Sequence, residues 1–189
     1  MDALELMQQR VSSPRLGDQP PTPAQLALMF DAALRAPDHA GLHPWRFLSV
    51  AGDGRIQLGE LFLQAGLAAD PAMIDAKRAK LRAMPLRAPL VVIVVGCIED
   101  HPKIPVIEQQ LSAGVAAQNL LLAAFAQGVG GIWRTGDMAY SPVVMKGLGL
   151  TENEQLIGFI YLGSQPERLK KVNLLDAADF VQSWPATGV

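Results

Sequence analysis

Cysteine is nearly absent from this sequence of 189 residues, in which Cys97 is the single thiol. One cysteine cannot form an intramolecular disulfide, so we expect a reducing compartment. The apolar residues around Cys97 are typical of a buried strand, and we therefore expect an unreactive, buried thiol. The first residues also lack the basic start and apolar run of a secretory signal peptide. Together these absences predict a cytoplasmic protein.

An excess of basic charge is also missing, because 16 Lys and Arg residues face 18 Asp and Glu residues. The resulting net charge of -2 disfavours nucleic-acid binding, which needs a basic surface. Half of the residues are hydrophobic, which is enough for one domain with a substantial core. We expect a globular protein that does not bind nucleic acid.

One long segment has no charge of either sign, since no ionisable side chain lies between Gln109 and Trp133. A membrane-spanning helix needs ~20 predominantly apolar residues. However, Gln118 and Asn119 lie in the middle of this segment and glycines interrupt its end, so a span is disfavoured. We predict instead a helix over about 107–127 that is buried on nearly all sides, partly by a second subunit.

Several motifs of nucleotide, hydrolase and metal chemistry are missing. A Rossmann Gly-x-Gly-x-x-Gly would need a glycine where Trp133 follows Gly128 and Gly130. The sequence has neither a phosphate-binding P-loop nor a nucleophile elbow. His39 and His43 are four residues apart, but the proline at position 44 would break a helix carrying both. We therefore expect no metal site.

The sequence that is present reads as alternating helices and strands in one α+β domain over 1–189. Thr22, Pro23 and Gln25 form a helix start with a capping box. Further helices are predicted over about 3–9, 55–69, 107–127 and 142–147, and strands over 45–50, 90–95 and 156–162. The segment 131–134 is expected to begin another strand or a tight turn. The apolar run 90–95 predicts a central strand buried on both faces. The charged segment 70–85 predicts a short helix in an excursion.

The loop over 35–47 is the strongest indication of a functional site. Pro37 ends a helix and a second proline precedes the next strand. Between them lie Asp38, His39 and His43, and side chains on such loops commonly bind ligands. Arg35 and His39 are four residues apart, so both side chains are expected to reach the same ligand.

Two further segments carry binding chemistry. Arg10, Ser12 and Arg15 offer a hydroxyl and guanidinium groups suited to a phosphate, although arginines beside a proline-rich loop are more often solvated. The segment 130–136 offers a flexible turn with Trp133 and Arg134. An indole of this kind is also commonly part of a hydrophobic core.

A family resemblance runs through these same segments, from the first helix to the strand that ends near position 163. The residues that carry it are Arg10-Val11-Ser12 with Arg15-Leu16, Arg35-Ala36-Pro37 leading to Pro44-Trp45-Arg46-Phe47, Ala117-Gln118-Asn119-Leu120-Leu121-Leu122-Ala123-Ala124 running into Gln127-Gly128-Val129-Gly130, and Ile132-Trp133-Arg134. Their order and spacing resemble the FMN-dependent nitroreductase family, and in particular its compact single-domain members.

The resemblance implies a three-layer α/β/α sandwich with a mainly antiparallel central sheet, in an interlocked homodimer that binds FMN at the subunit interface. The long uncharged helix would be the central packing element of that dimer. The FMN-binding residues it implies are Arg10, Val11, Ser12, Arg35, His39, Trp133, Arg134 and Thr135. The residues it implies near NAD(P)H are Ala123, Ala124, Phe125, Ala126, Gln127 and Gly128.

The chemistry implied by the resemblance is a ping-pong hydride relay. Hydride passes from NADH or NADPH to FMN, and then to an electron-poor acceptor such as a nitroaromatic or a quinone. No catalytic side chain is required, and His39 is a candidate proton donor. Two alternatives stay open: an FMN-binding protein with little turnover, and a different chemistry such as reductive dehalogenation or oxygenation of the flavin. The sequence does not choose between NADH and NADPH or name the acceptor.

The sequence departs from the family pattern at several positions. Val11 stands where many relatives have a second arginine. Asp38, Gly41 and His43 replace residues that commonly contact the flavin ring, and a carboxylate such as Asp38 can only accept hydrogen bonds. We therefore expect altered ring contacts. A basic residue near the C-terminus often meets the phosphate in relatives, and the candidates here are Arg168, Lys170 and Lys171.

Overall fold

The protein is described from a computed structural model that covers residues 2–184. The predicted domain over 1–189 therefore extends slightly beyond the described residues. The helices are α1 (Ala3–Gln9), α2 (Pro23–Ala33), α3 (Gly54–Ala69), α4 (Asp75–Ala83), α5 (Val106–Ala126) and α6 (Pro142–Gly147). The strands are β1 (Trp45–Ala51), β2 (Leu90–Cys97), β3 (Val129–Arg134) and β4 (Glu154–Ser164).

The four strands form one sheet in the order β1-β2-β4-β3, and every neighbouring pair is antiparallel. Strand β2 is the continuous apolar run, and its side chains alternate between two hydrophobic cores. Val92 and Val94 pack with α2 and α5 on one face, whereas Val91 and Ile93 pack with α3 and α6 on the other. The prediction of an α+β sandwich with a mainly antiparallel sheet and a doubly buried central strand is confirmed.

The helix starts follow the expected local chemistry. Thr22 caps α2 by accepting a hydrogen bond from the Gln25 backbone, while the Gln25 side chain accepts from the Thr22 backbone. This is the predicted capping box. At α1, Asp2 accepts from the backbone N–H groups of Leu4 and Glu5. The charged segment before β2 contains a helix, α4, which packs against α3 where Gly59 lets the Arg82 backbone approach closely.

Helix α5 is buried along one side within a single chain, and the remaining side is the part of the helix that the sequence assigned to a second subunit. Leu120 and Ala124 are fully buried, whereas Ile107 and Leu111 are exposed at 56% and 62%. The helix ends where Gly128 takes a left-handed φ of 72°. Within residues 2–184, no helix combines the length and the apolar character that a membrane span requires.

A bulge in β4 lets the Trp133 side chain of the neighbouring strand β3 lie close to the β4 backbone. Gly158 has a φ of 156° beside the register shift between Val94 and Val95. A side chain at this position would overlap the indole of Trp133, and that indole instead donates a hydrogen bond to the Ile157 carbonyl at 3.3 Å. The bulge therefore fixes the ring of a predicted site residue against the sheet.

Candidate functional site

The N-terminal candidates lie against the start of β3. Arg10 follows α1 as its C-cap, and Val11 and Ser12 are half-buried. The next residue, Ser13, is buried and its backbone N–H donates to the Gly131 carbonyl at 3.0 Å. The segment is thus held at the end of the sheet, which restricts where the preceding arginine and serine side chains can reach.

A basic cavity of about 330 Å³ lies beside this segment. Ser12 and Arg15 line it from the N-terminal side, and Arg168 and Lys170 line it from the C-terminal side, with Glu167 as one carboxylate. Three cations and two serine residues around one cavity suit a small anion such as a phosphate monoester. Of the three basic candidates near the C-terminus, Arg168 and Lys170 line this cavity, whereas Lys171 lines a different one.

In the loop after α2, the His39 side chain is hydrogen-bonded to a residue that the sequence did not link to it. The Nδ1 atom of His39 lies 2.8 Å from the carboxylate of Glu108, which is in the first turn of α5. The Asp38 carboxylate accepts from the His43 backbone N–H at 2.7 Å. Ala40 and His43 both have left-handed φ values, of 63° and 48°. The Asp38 carboxylate therefore maintains an unusual backbone conformation of the loop. Arg35, which precedes the loop, is exposed.

The predicted residues on β3 face opposite sides of the sheet, as alternate strand residues do. Trp133 packs on the α5 side. The Arg134 guanidinium lies on the other side, 5.8 Å from the ring centre of Tyr161. The Arg134 Nε atom is buried and has no hydrogen-bond partner within residues 2–184. Burial raises the pKa of Tyr161, so this phenol stays neutral beside the guanidinium at physiological pH. Thr135, which follows, is half-buried.

The segment predicted to meet NAD(P)H is largely engaged in helix packing. Ala124 and Phe125 are buried. The Gln127 amide donates to the carbonyls of Gln25 and Ala123, and the Gln25 amide donates in return to the Gln127 carbonyl. These hydrogen bonds join the start of α2 to the end of α5. Ala126 and Gly128 are the members of the predicted segment that stay exposed.

A single chain keeps the two main groups of candidate residues apart. His39 is paired with Glu108 near the start of α5, whereas Gly131, bonded to Ser13, packs against Leu121 nearer its end. Glu108 and Leu121 are separated by roughly 20 Å along the helix, at a rise of ~1.5 Å per residue. Within one chain, His39 and the N-terminal candidates therefore lie near opposite ends of α5.

Arg46, which lies in one of the family-like segments, has a structural role. Its guanidinium donates from Nε and, at 2.8 Å, from Nη2 to the Glu154 carboxylate, which also accepts from the Thr151 backbone and from the Cys97 thiol. The ion pair lowers the pKa of Glu154 to about 2. Burial raises the pKa of Cys97, which is half-buried rather than fully buried as expected.

Comparison with known proteins decides the family. The family described as "Nitroreductase family" matches residues 7–164 of this chain. The chain belongs to the nitroreductase family. The matched region contains the residues from Arg10 to Thr135 that the resemblance implies for FMN and NAD(P)H, whereas the C-terminal phosphate candidates Arg168, Lys170 and Lys171 lie beyond its end.

Other members of the nitroreductase family resemble this chain over nearly its whole length. The protein named "Putative NAD(P)H nitroreductase YdjA" from Escherichia coli K12 is 42% identical over 96% of this chain and 98% of its own length. The structure of a nitroreductase-like family protein from Bacillus cereus has a TM-score of 0.83 at 22% identity, covering 98% of this chain and 97% of its own. A nitroreductase with bound FMN from Bacteroides fragilis has a TM-score of 0.71 at 23% identity, covering 97% and 100%. These structures share the fold.

Proposed function

We propose that this nitroreductase-family protein is a cytoplasmic, homodimeric flavin oxidoreductase that uses FMN. Its donor would be NADH or NADPH, and its acceptor an electron-poor compound such as a nitroaromatic or a quinone. The observation that carries the proposal is the basic cavity in which Ser12 and Arg15 meet Arg168 and Lys170. The names of the relatives from Escherichia coli and Bacteroides fragilis, which mention NAD(P)H and bound FMN, support the same chemistry.

The donor set of the cavity fits the phosphate end of FMN. A phosphate monoester carries close to two negative charges and accepts several hydrogen bonds, and guanidinium groups match its oxygens in pairs. Ser12 and Arg15 line the cavity from the N-terminal segment, and the two C-terminal cations line it from the opposite side. The buried Arg134 Nε, which lacks a partner among the described residues, is a further donor available to a bound polar group. We propose that these side chains hold the cofactor.

A second copy of the chain would complete the site. The outer side of α5 carries no charge from position 109 onward and leaves Ile107 and Leu111 exposed, which is typical of an interface. If two such helices packed antiparallel, His39 of one protomer would lie towards Arg10, Val11 and Ser12 of the other. The separation of these two groups along one chain supports a site shared between two protomers.

The protein's part in the reaction would be binding and orientation. When bound, FMN supplies the hydride chemistry, accepting a hydride from NAD(P)H and passing it to the acceptor. The basic cavity anchors the phosphate, and the Trp133 indole, fixed by Gly158 and its hydrogen bond to Ile157, gives the β3 side of the site a rigid wall. Holding two reactants in order at one site lowers the barrier by proximity, and a donor and acceptor that use it in turn give ping-pong kinetics.

An anaerobic absorbance titration tests this proposal. Purified protein is loaded with FMN, titrated with NADH and, in a second sample, with NADPH, and then mixed with a nitroaromatic or a quinone. We expect the flavin band to bleach and to return when the acceptor is added. Failure to take up FMN would contradict the proposal. A flavin that never bleaches would instead indicate a binding protein with little turnover, and a bleached flavin that only other substrates reoxidise would indicate a different chemistry.

A further inference from the structure

The hydrogen bond between His39 and Glu108 decides which atom of the imidazole is free. Glu108 accepts at 2.8 Å from His39 Nδ1, and an ionised carboxylate can only accept. The Nδ1 atom therefore carries a hydrogen. In the neutral ring the Nε2 atom then has no hydrogen and presents a lone pair. The imidazole side chain is 59% exposed, so much of the ring is accessible from solvent.

Both partners are held in place by the elements around them. Glu108 lies in the first turn of α5, where the helix dipole favours a negative charge. His39 lies in a short 3-10 turn whose shape depends on the bond from the His43 backbone to Asp38 and on the left-handed Ala40. These contacts fix the backbone that carries His39, and the hydrogen bond to Glu108 orients its ring, so the choice of tautomer has a directional consequence.

We propose that Glu108 is a positioning residue, which holds His39 as the Nδ1–H tautomer so that Nε2 accepts a hydrogen bond from a hydroxyl or N–H group of the bound cofactor. This inference rests on the proposed function, since FMN carries such donors on its ribityl chain and its ring. It also changes the role expected for His39 from the sequence. A neutral His39 accepts at Nε2, and it can donate a proton from that atom only after being protonated.

The first test determines the tautomer of His39 in the absence of cofactor. Long-range proton–nitrogen NMR spectra of the ¹⁵N-labelled full chain are recorded near pH ~9, well above the usual histidine pKa of ~6.5. The chain has three histidines, and the His39 signals are those lost in His39→Gln. We expect a pyrrole-type Nδ1 and a pyridine-type Nε2 for His39. Glu108→Ala should shift the ring towards the opposite tautomer, whereas Glu152→Ala, an exposed glutamate on another turn, should leave it unchanged.

The second test reads the consequence for binding. FMN affinity is measured by quenching of flavin fluorescence for the native chain, Glu108→Ala, His39→Ala and the double variant. Each single change should raise Kd about tenfold, equivalent to ~1.4 kcal/mol, and the double variant should bind no more weakly than either one because the two residues act as a unit. Thermal unfolding of each variant checks that the fold is intact.

Specific results would overturn the inference. One such result is a native His39 that carries its hydrogen on Nε2. Another is a Glu108→Ala spectrum identical to the native one. The third is a loss of FMN affinity in the double variant equal to the sum of the two single losses. A native chain that fails to bind FMN would overturn the proposed function instead. In that case the tautomer spectra still show whether Glu108 sets the tautomer of His39. A failure of this inference can therefore be distinguished from a failure of the proposed function.

Discussion

Arg46 on β1 donates two hydrogen bonds to Glu154 on β4, across the intervening strand β2. The Cys97 thiol at the end of β2 also donates to this carboxylate, at 3.6 Å. One partly buried ion pair therefore joins three neighbouring strands at one end of the sheet. A sheet end held in this way fixes the start of β1, which follows directly from the loop that carries His39.

This ion pair makes the stability of the protein sensitive to acid. Arg46 lowers the pKa of Glu154 from an ordinary 4.5 to about 2. The unfolded chain therefore takes up the proton first, so the pair stabilises the fold above about pH 4.5 and the contribution is lost as the pH falls towards about 2. We expect Glu154→Gln to flatten this part of the pH profile and to cost about 1–3 kcal/mol at neutral pH, measured by urea unfolding.

The control for this prediction is Glu152→Gln, which changes an exposed neighbour on the same turn. It should leave both the neutral stability and the acid profile unchanged. If Glu154→Gln retained the full loss of stability between about pH 4.5 and about 2, other carboxylates would be responsible for the acid sensitivity.

The Cys97 thiol should react slowly in the folded protein. Burial and the neighbouring Glu154 carboxylate raise the pKa of Cys97, and the thiolate is the reactive species. Alkylation with iodoacetamide at neutral pH, followed by intact mass, should be markedly slower than in denaturant. Glu154→Gln should speed it up. Equal rates for folded and unfolded chains would contradict the expected protection.

Removing either C-terminal cation from the basic cavity should weaken FMN binding. Arg168→Ala and Lys170→Ala each remove a cation that lines the cavity. Because a hydrogen bond to a charged group contributes ~1.5–3 kcal/mol, each change should raise Kd by about 10- to 100-fold in a fluorescence titration. Lys171→Ala is the matched control, since that side chain lines a different cavity. An equal loss in all three variants would indicate general electrostatic attraction.

The outer side of α5 predicts the oligomeric state. Leu111→Glu places a charge on an exposed leucine of the proposed interface, so it should convert the dimer to a folded monomer and abolish tight FMN binding. Light scattering after size exclusion gives the mass, and circular dichroism checks the fold. The comparison variant is Ile56→Glu, at a similarly exposed position on α3. A dimer that persists in Leu111→Glu would require a different interface.

The bulge at Gly158 predicts a strong packing effect. An alanine side chain there would overlap the Trp133 indole, and the backbone φ of 156° is unfavourable for any residue other than glycine. We expect Gly158→Ala to destabilise the protein by about 1–3 kcal/mol or more in chemical unfolding. Gly54→Ala, at the start of α3 where no overlap occurs and φ is ordinary, should have little effect. Similar stabilities for both variants would contradict the role of the bulge.

The parts of the fold that could be predicted depend on neighbours in sequence. The capping box of Thr22 and Gln25 and the apolar run of β2 are local patterns, and both are confirmed. The short helix predicted within 70–85 is present as α4, but its charged sequence does not indicate the face that packs on α3. The burial of α5 on nearly all sides stays a prediction, since an uncharged surface has the same pattern whether the chain itself or a second copy covers it.

The candidate site was predictable as segments but not as an arrangement. Glu108 lies 69 positions from His39, and no local pattern links the two. The same holds for Arg168 and Lys170, which meet Ser12 only after the chain has crossed the whole sheet. The opposite directions of Trp133 and Arg134 follow from strand geometry once β3 is defined. Their partners, Ile157 and Tyr161, depend on the register with β4.

The strand order has a consequence for synthesis on the ribosome. Strand β4 is the last in sequence, yet it lies between β2 and β3 in the sheet. Until Ser164 has emerged, β2 has an open edge, β3 has no partner strand, and both faces of the apolar run lack part of their cover. The nascent chain therefore carries an unfinished sheet with an unpaired apolar edge from the emergence of β2 until the emergence of β4. The segment carrying Tyr161 completes the sheet, because it pairs with β2 on one side and with β3 on the other.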